Sequence, residues 1–239
     1  MALDAALLDF AAGEGGAFLR LYRWDPFCLS FGFHEPALRR YDRARIEALG
    51  LSCVRRPTGG RAVWHARELT YAVAAPLDRF GGLRQAYAAI HRVVAAALSS
   101  LGAPARLAPR GVEAPRPSAG PCFAAPVGGE VLVRDRKAVG SAQVRLGEAF
   151  LQHGSILLED DQTLVADLAG IPPAGGGGIT LSSALDRRVG FEEVAGAIRQ
   201  AWESAFPVTD AVGSLPSATA ARAAAHAERF RDEGWTWRR

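Results

Sequence analysis

Apolar residues open the chain at helical spacing: Leu3, Leu7, Leu8 and Phe10 predict a helix over residues 2–12, and the glycines between 13 and 16 end it. Alternation of apolar and polar residues then predicts a strand over 17–24, and a short apolar run follows Pro26 at 28–33. Residues 41–49 read as a helix stopped by Gly50, and 52–55 and 68–75 as strands flanking a glycine-bearing loop at 56–67. The longest amphipathic pattern, 83–101, is a helix closed by Gly102. Three strands in a meander follow at 130–134, 137–145 and 149–158, and the segments 161–169, 179–186, 191–205 and 217–231 read as mostly helical.

Helices and strands that mix without strict strand–helix–strand alternation predict an α+β fold, a mixed and largely antiparallel sheet packed with helices. Two stretches resemble linkers: 109–121 carries four prolines, and 170–178 carries two prolines and five glycines. Neither flanking piece has enough strands to close a core alone, so residues 1–239 are expected to form a single domain.

Composition narrows the picture. Hydrophobic residues make up 49% of the 239 positions and charged residues 22%, a globular balance. No apolar run reaches the roughly 18 residues of a membrane span, and the first ten residues hold Asp4 and Asp9 in place of a basic leader, so a cytoplasmic protein is expected. Cys28, Cys53 and Cys122 are too few and too scattered for a disulfide framework, and no CxxC pair points to zinc. The net charge of +3 rests on dispersed arginines rather than a basic stripe, which argues against nucleic acid and is compatible with steering an acidic protein partner. Of the 28 basic residues 27 are arginine; Lys137 is the only lysine, and a compact ammonium does what a planar guanidinium cannot.

Three segments can carry chemistry. In Arg55-Arg56-Pro57-Thr58-Gly59-Gly60-Arg61-Ala62-Val63-Trp64-His65, paired glycines allow close backbone approach and the arginines supply donors for an anionic or carbonyl group. An ordinary turn with solvated arginines is the plainer alternative. In Lys137-Ala138-Val139-Gly140-Ser141-Ala142-Gln143 an inward lysine beside small residues would hold a carboxyl or thioester oxygen, whereas an outward one is a surface charge. In Leu151-Gln152-His153-Gly154-Ser155, His153 and Ser155 read either as site residues or as hydrogen-bonded core. Cys122 alone among the cysteines sits on a loop, where a thiol can be exposed and near cations; Cys28 and Cys53 lie in apolar runs and read as core. The local signatures of cysteine proteases are missing, as are a P-loop, a Rossmann fingerprint and an HExxH motif.

Taken together, RRPTGGRAVWH, ELTYAV, PCFAAP, RKAVGSAQ and LQHGSILL resemble the lipoate/octanoate protein ligase and transferase family, whose fold is related to that of biotin protein ligases. The likeness is greatest to the ligase-like octanoyl-[acyl carrier protein]:protein N-octanoyltransferases. It implies an acyl-enzyme in which Cys122 takes octanoate from octanoyl-acyl carrier protein and passes it to a lysine of a lipoyl domain or of the glycine cleavage H protein. Lys137 would hold the acyl carbonyl and favour the thiolate, with no cofactor and no metal. Arg55, Arg56, Thr58, Gly59, Gly60, His65, Gly140, Ser141, His153 and Gly154 would form the substrate-binding site. Gly59 and Gly60 would line the acyl chain, where about five buried methylenes supply roughly 4 kcal/mol. His65 and Thr58 match the motif without an assigned role. Cys122 and Lys137 are expected to converge on one pocket beside Gly59 and Gly60. Met1-Ala-Leu-Asp aligns with a motif that is internal in the family, which implies a missing N-terminal edge strand, and no accessory C-terminal domain is expected. An ATP-dependent lipoate–protein ligase, a lipoyl amidotransferase and a silent carrier-binding protein are the alternatives; Cys122 speaks against the first, and Cys122 with Lys137 against the last.

Overall fold

The computed structural model describes residues 1–109, 123, 127–159, 162–172, 178–207 and 217–238. The first half runs α1 (Ala2–Glu14), β1 (Phe18–Tyr22), β2 (Cys28–Phe31), α2 (Ala37–Arg40), α3 (Arg43–Ala48), β3 (Ser52–Arg55), β4 (Val63–His65), β5 (Glu68–Pro76) and α4 (Leu83–Ser100). The second runs β6 (Ala105–Leu107), β7 (Val131–Val133), β8 (Arg136–Lys137), β9 (Val139–Leu146), β10 (Ala149–Leu157), α5 (Thr163–Leu168), α6 (Leu181–Leu185), α7 (Phe191–Ala205), α8 (Ser217–Arg231) and α9 (Glu233–Thr236).

Among the described residues three sheets form. The largest has the order β1-β5-β10-β9 and is antiparallel throughout. Side chains alternate across it, and each face is covered. Leu7, Leu8 and Ala11 of α1 pack on Ala72, Ala74 and Leu151. On the opposite face α4 and α7 bring Ile90, Val94, Leu98, Val194 and Ile198 against Leu69, Tyr71, Val73 and Phe150. The second sheet, β3-β2-β4, pairs β2 with β3 in parallel and with β4 antiparallel. Its Leu29 and Phe31 pack with Tyr41, Ile46, Leu168 and Trp237. The third, β6-β7-β8, is antiparallel and adds Val131 and Val133 to the α4 side of the core.

Most elements predicted from periodicity stand where the structure places them, but the strand expected over 137–145 is two, β8 in the third sheet and β9 in the first, so the expected three-strand meander is divided between sheets, and α9 is an added short helix. The loop expected at 56–67 contains β4, and α2 and β6 are elements of four and three residues that the pattern did not signal. The hairpin joining β7 to β8 turns at Arg134 and Asp135, with φ of 48° and 61°. Such a turn matches the twist of its strands.

Arg55 ties distant parts of the chain together. It is fully buried and donates to the carbonyls of Gly32, Phe33, Glu35, Trp235, Thr236 and Arg238. The cross-link closes residues 235–238 onto the loop that follows β2.

Candidate active site

Strand alternation builds one wall of a pocket. Tyr22, Thr70, Ser155 and Gly140 form a row across β1, β5, β10 and β9, and Ala72, His153 and Ala142 form the next row on the same face. The other wall comes from the second sheet and its loops, with Trp24, Arg56, Gly60, Val63 and His65. The pocket is partly open to solvent, its surface is almost wholly apolar, and Met1, Ser141 and Gly154 complete the lining.

Glycine is required at two points of this wall. A Cβ on Gly32 would lie 1.8 Å from the Gly60 carbonyl oxygen, so the loop after β2 and the Gly59–Gly60 turn cross in contact, and Gly60 takes φ of 90°. A Cβ on Gly154 would lie 2.5 Å from Ser141 Oγ and 2.6 Å from Tyr71 Cε1.

Around the pocket runs a chain of polar side chains. Arg56 donates to Ser30 Oγ at 2.6 Å and to the carbonyls of Ser30, Gly59 and Arg61, which fixes the glycine turn. Ser30 Oγ meets His65 Nε2 at 2.7 Å, and His65 Nδ1 lies 3.3 Å from Glu68. Thr70 donates to the same Glu68 oxygen at 2.5 Å and accepts from Trp24 Nε1 at 2.9 Å. The Trp24 indole stacks on the His65 ring, centroids 4.4 Å apart. Thr58 hydrogen-bonds His153 Nε2, while His153 Nδ1 and Ser155 Oγ have no protein partner among the described residues. Burial lowers the pKa of His65 and takes that of His153 down to about 3, so both rings are neutral at physiological pH.

A second network stands behind β9. Ser141 Oγ lies 2.6 Å from Tyr71 Oη and 2.9 Å from His91 Nε2, and His91 Nδ1 lies 2.7 Å from the Gly129 carbonyl. The next residue, Glu130, accepts from Lys137 Nζ at 2.6 Å, and both side chains are buried. Glu130 also accepts from the backbone of Val127. Lys137 Nζ lies 5.4 Å from the centroid of Phe123, whose ring packs on Gly140 and joins Val63 and Leu157.

Of the residues read from the sequence, Arg56, Gly60, His65, Gly140, Ser141, His153 and Gly154 line one pocket, and Thr58 joins it through His153. Arg55 and Gly59 are not in the lining; the Arg55 donors go to main-chain carbonyls, and the Gly59 carbonyl accepts from Arg56. Lys137 is also outside the lining, beyond Gly140. Cys122 lies outside the described residues. The thiols of Cys28 and Cys53 are pushed up to about 12 by burial, which leaves neither a nucleophile near neutral pH. Tyr22, Trp24, Thr70 and Ala142 were missed, as was Glu130. The last was readable: a two-residue turn at Arg134-Asp135 pairs Leu132 with Lys137, which puts Glu130 on the diagonal from the lysine.

A family model, the lipoyl protein ligase A/B catalytic domain, matches residues 1–203. The chain belongs to this lipoyl protein ligase A/B family. Among relatives, the octanoyltransferase LipM of Exiguobacterium sibiricum is 35% identical over 259 residues, covering 100% of this chain and 94% of that one. The octanoyltransferase LipM of Moorella thermoacetica is 42% identical over 164 residues, 66% of this chain and 60% of its own length. Within the lipoyl protein ligase A/B family the chain therefore stands with octanoyltransferases. Solved structures share the fold: lipoate-protein ligase A bound with ATP has a TM-score of 0.82 at 21% identity, covering 99% of this chain and 92% of that one. Plasmodium falciparum LipL1 in complex with lipoate has a TM-score of 0.74 at 16% identity, covering 99% and 69%.

Proposed function

We propose that this member of the octanoyltransferases takes octanoate from octanoyl-acyl carrier protein, holds it as a thioester on Cys122, and delivers it to a lysine of a lipoyl domain or glycine cleavage H protein. The setting is lipoate biosynthesis in the cytoplasm, and residues 1–239 act as one catalytic unit. One observation carries the reading: an almost wholly apolar pocket, walled by the arginine–glycine loop and by β9 and β10, includes Gly140, and the Phe123 ring that packs on this glycine lies 5.4 Å from the buried Lys137 ammonium. A saturated acyl chain needs such an apolar lining, at about 0.8 kcal/mol for each methylene buried. Full-length relatives that are octanoyltransferases support the same reading.

The chemistry balances without an added energy source. The Cys122 thiolate attacks the thioester carbonyl, and the carrier's thiol leaves with a proton. The acceptor amine then attacks the Cys122 thioester, an amide forms, and the thiol is restored. Lys137 acts on the carbonyl oxygen, where its ammonium balances the charge that develops in each tetrahedral intermediate. Phe123, which follows Cys122 in the chain, lies against both Gly140 and the Lys137 ammonium.

The test is intact-protein mass spectrometry after mixing the protein with octanoyl-carrier protein in the absence of ATP, beside Cys122→Ser. The expected result is an octanoyl adduct on the native protein alone, released by hydroxylamine. No adduct, with acceptor modification only once ATP and lipoate are supplied, would replace the transferase with a ligase.

A further inference from the structure

We propose that Trp24 is the stop that sets acyl-chain length in this pocket, held in place by Thr70, Glu68 and His65. The inference rests on the pocket being the acyl site.

The sheet itself supplies a ruler. Neighbouring strands lie about 4.8 Å apart, so the two steps from Gly140 on β9 through Ser155 on β10 to Thr70 on β5 span about 10 Å. An eight-carbon acyl chain has seven carbon–carbon bonds of about 1.5 Å in zigzag and extends about 9 Å. The head of the chain belongs at Gly140, because Phe123 connects that glycine to the Lys137 ammonium. The terminal methyl then arrives at Thr70, where the Trp24 indole is hydrogen-bonded.

The indole is fixed by a donor sequence in which every proton is assigned. Glu68 can only accept from His65 Nδ1, so the Nε2 of the neutral ring takes the proton of the Ser30 hydroxyl, whose oxygen in turn accepts from Arg56. His65 then carries its proton on Nδ1, facing Glu68. Thr70 gives its proton to Glu68 and is left to accept from Trp24 Nε1. The His65 ring, neutral because it is buried, is the platform on which the indole stacks at an interplanar angle of 22°. Trp24 is thereby held through its edge and its face at once. Neither Trp24 nor Glu68 nor Thr70 carries a role in the acyl chemistry, and His65, matched by motif without a task, acquires one as a positioning residue. Past the indole the row continues to Tyr22, one strand spacing or about 5 Å further.

The experiment offers octanoyl-, decanoyl- and dodecanoyl-carrier protein in equimolar competition, with a lipoyl domain as acceptor, and weighs the acyl groups on the product. The native protein is expected to deliver mostly octanoyl. In Trp24→Ala the dodecanoyl-to-octanoyl ratio is expected to rise at least about tenfold, since each admitted methylene is worth about fourfold in binding. Trp24→Phe, which keeps a stacked ring but is shorter and lacks the indole donor, is expected to shift the preference toward decanoyl, and it serves if the alanine variant fails to fold. Ala142→Leu fills the pocket near its β9 end and is expected to abolish octanoyl delivery. Loss of delivery in Ala142→Leu with an unchanged eight-carbon preference in both Trp24 variants would overturn the stop and leave the acyl pocket standing. Native yield and profile in all three variants would overturn the pocket, and the stop with it.

Discussion

Lys137 is a lone lysine among arginines, and Glu130 meets its ammonium inside the protein at 2.6 Å. A planar guanidinium is wider and its donors are set in a fork, so it cannot reproduce this geometry. Lys137→Arg is therefore expected to lower kcat/KM for octanoyl transfer about a hundredfold, as loss of a charge-stabilising donor does; native kcat/KM in that variant would deny the ammonium its special part. At this scale the sequence was informative wherever a residue type was rare, as with Lys137, or repeated in an unusual string, as in Arg55 to His65. It was uninformative about acceptors. Arg55 and Arg56 look alike as donors, yet Arg55 spends its protons on carbonyls that include Trp235 and Thr236, which no local pattern connects to it. Trp24 gave no signal either, since an isolated tryptophan in a strand-like run is ordinary until the strand across from it is known.

Periodicity read α4 and α7 well because each sets an apolar stripe against the β1-β5-β10-β9 sheet, whereas α1, on the other side of that sheet, is also packed against α8 and is apolar more nearly all round. It missed β4 because three residues cannot display alternation, and α2 because four residues make barely one turn. Of these, β4 supplies Val63 and His65 to the second wall of the pocket, so a part of the site that escaped the pattern is built from a fragment. What holds the loop after β2 is Arg55. Arg55→Leu strands several buried carbonyls, at about 1–3 kcal/mol for each group left unsatisfied. Urea unfolding is expected to report a loss of about 3 kcal/mol or more, and amide exchange at Trp237 to quicken while β5 and β10 stay protected. An unchanged urea midpoint would make the clamp dispensable.

Across the whole molecule three histidines are buried: His65 on β4 and His153 on β10, which line the same pocket, and His91 on α4. Burial lowers all three, His91 to about 4 and His153 to about 3, from an ordinary value of 6.5. Below pH 6.5 the unfolded chain therefore takes up protons that the folded one refuses, and stability falls as pH falls. Because the unfolded rings are half protonated at pH 6.5 and the slope reaches roughly 1.4 kcal/mol per pH unit only below that, His91 and His153 together cost about 3 kcal/mol between pH 6.5 and 5. Urea midpoints measured across that interval should fall steeply, and a flat profile would contradict neutral buried rings. No helix among the described residues is long and apolar enough to cross a membrane. The Arg55 clamp also bears on the order of events at the ribosome. Its donors wait for Trp235, 180 residues downstream, and at about 5–20 residues per second that segment follows some ten to forty seconds later. The strands of the four-stranded sheet, complete at Leu157, are thus made well before the Trp235 segment that fastens the loop after β2.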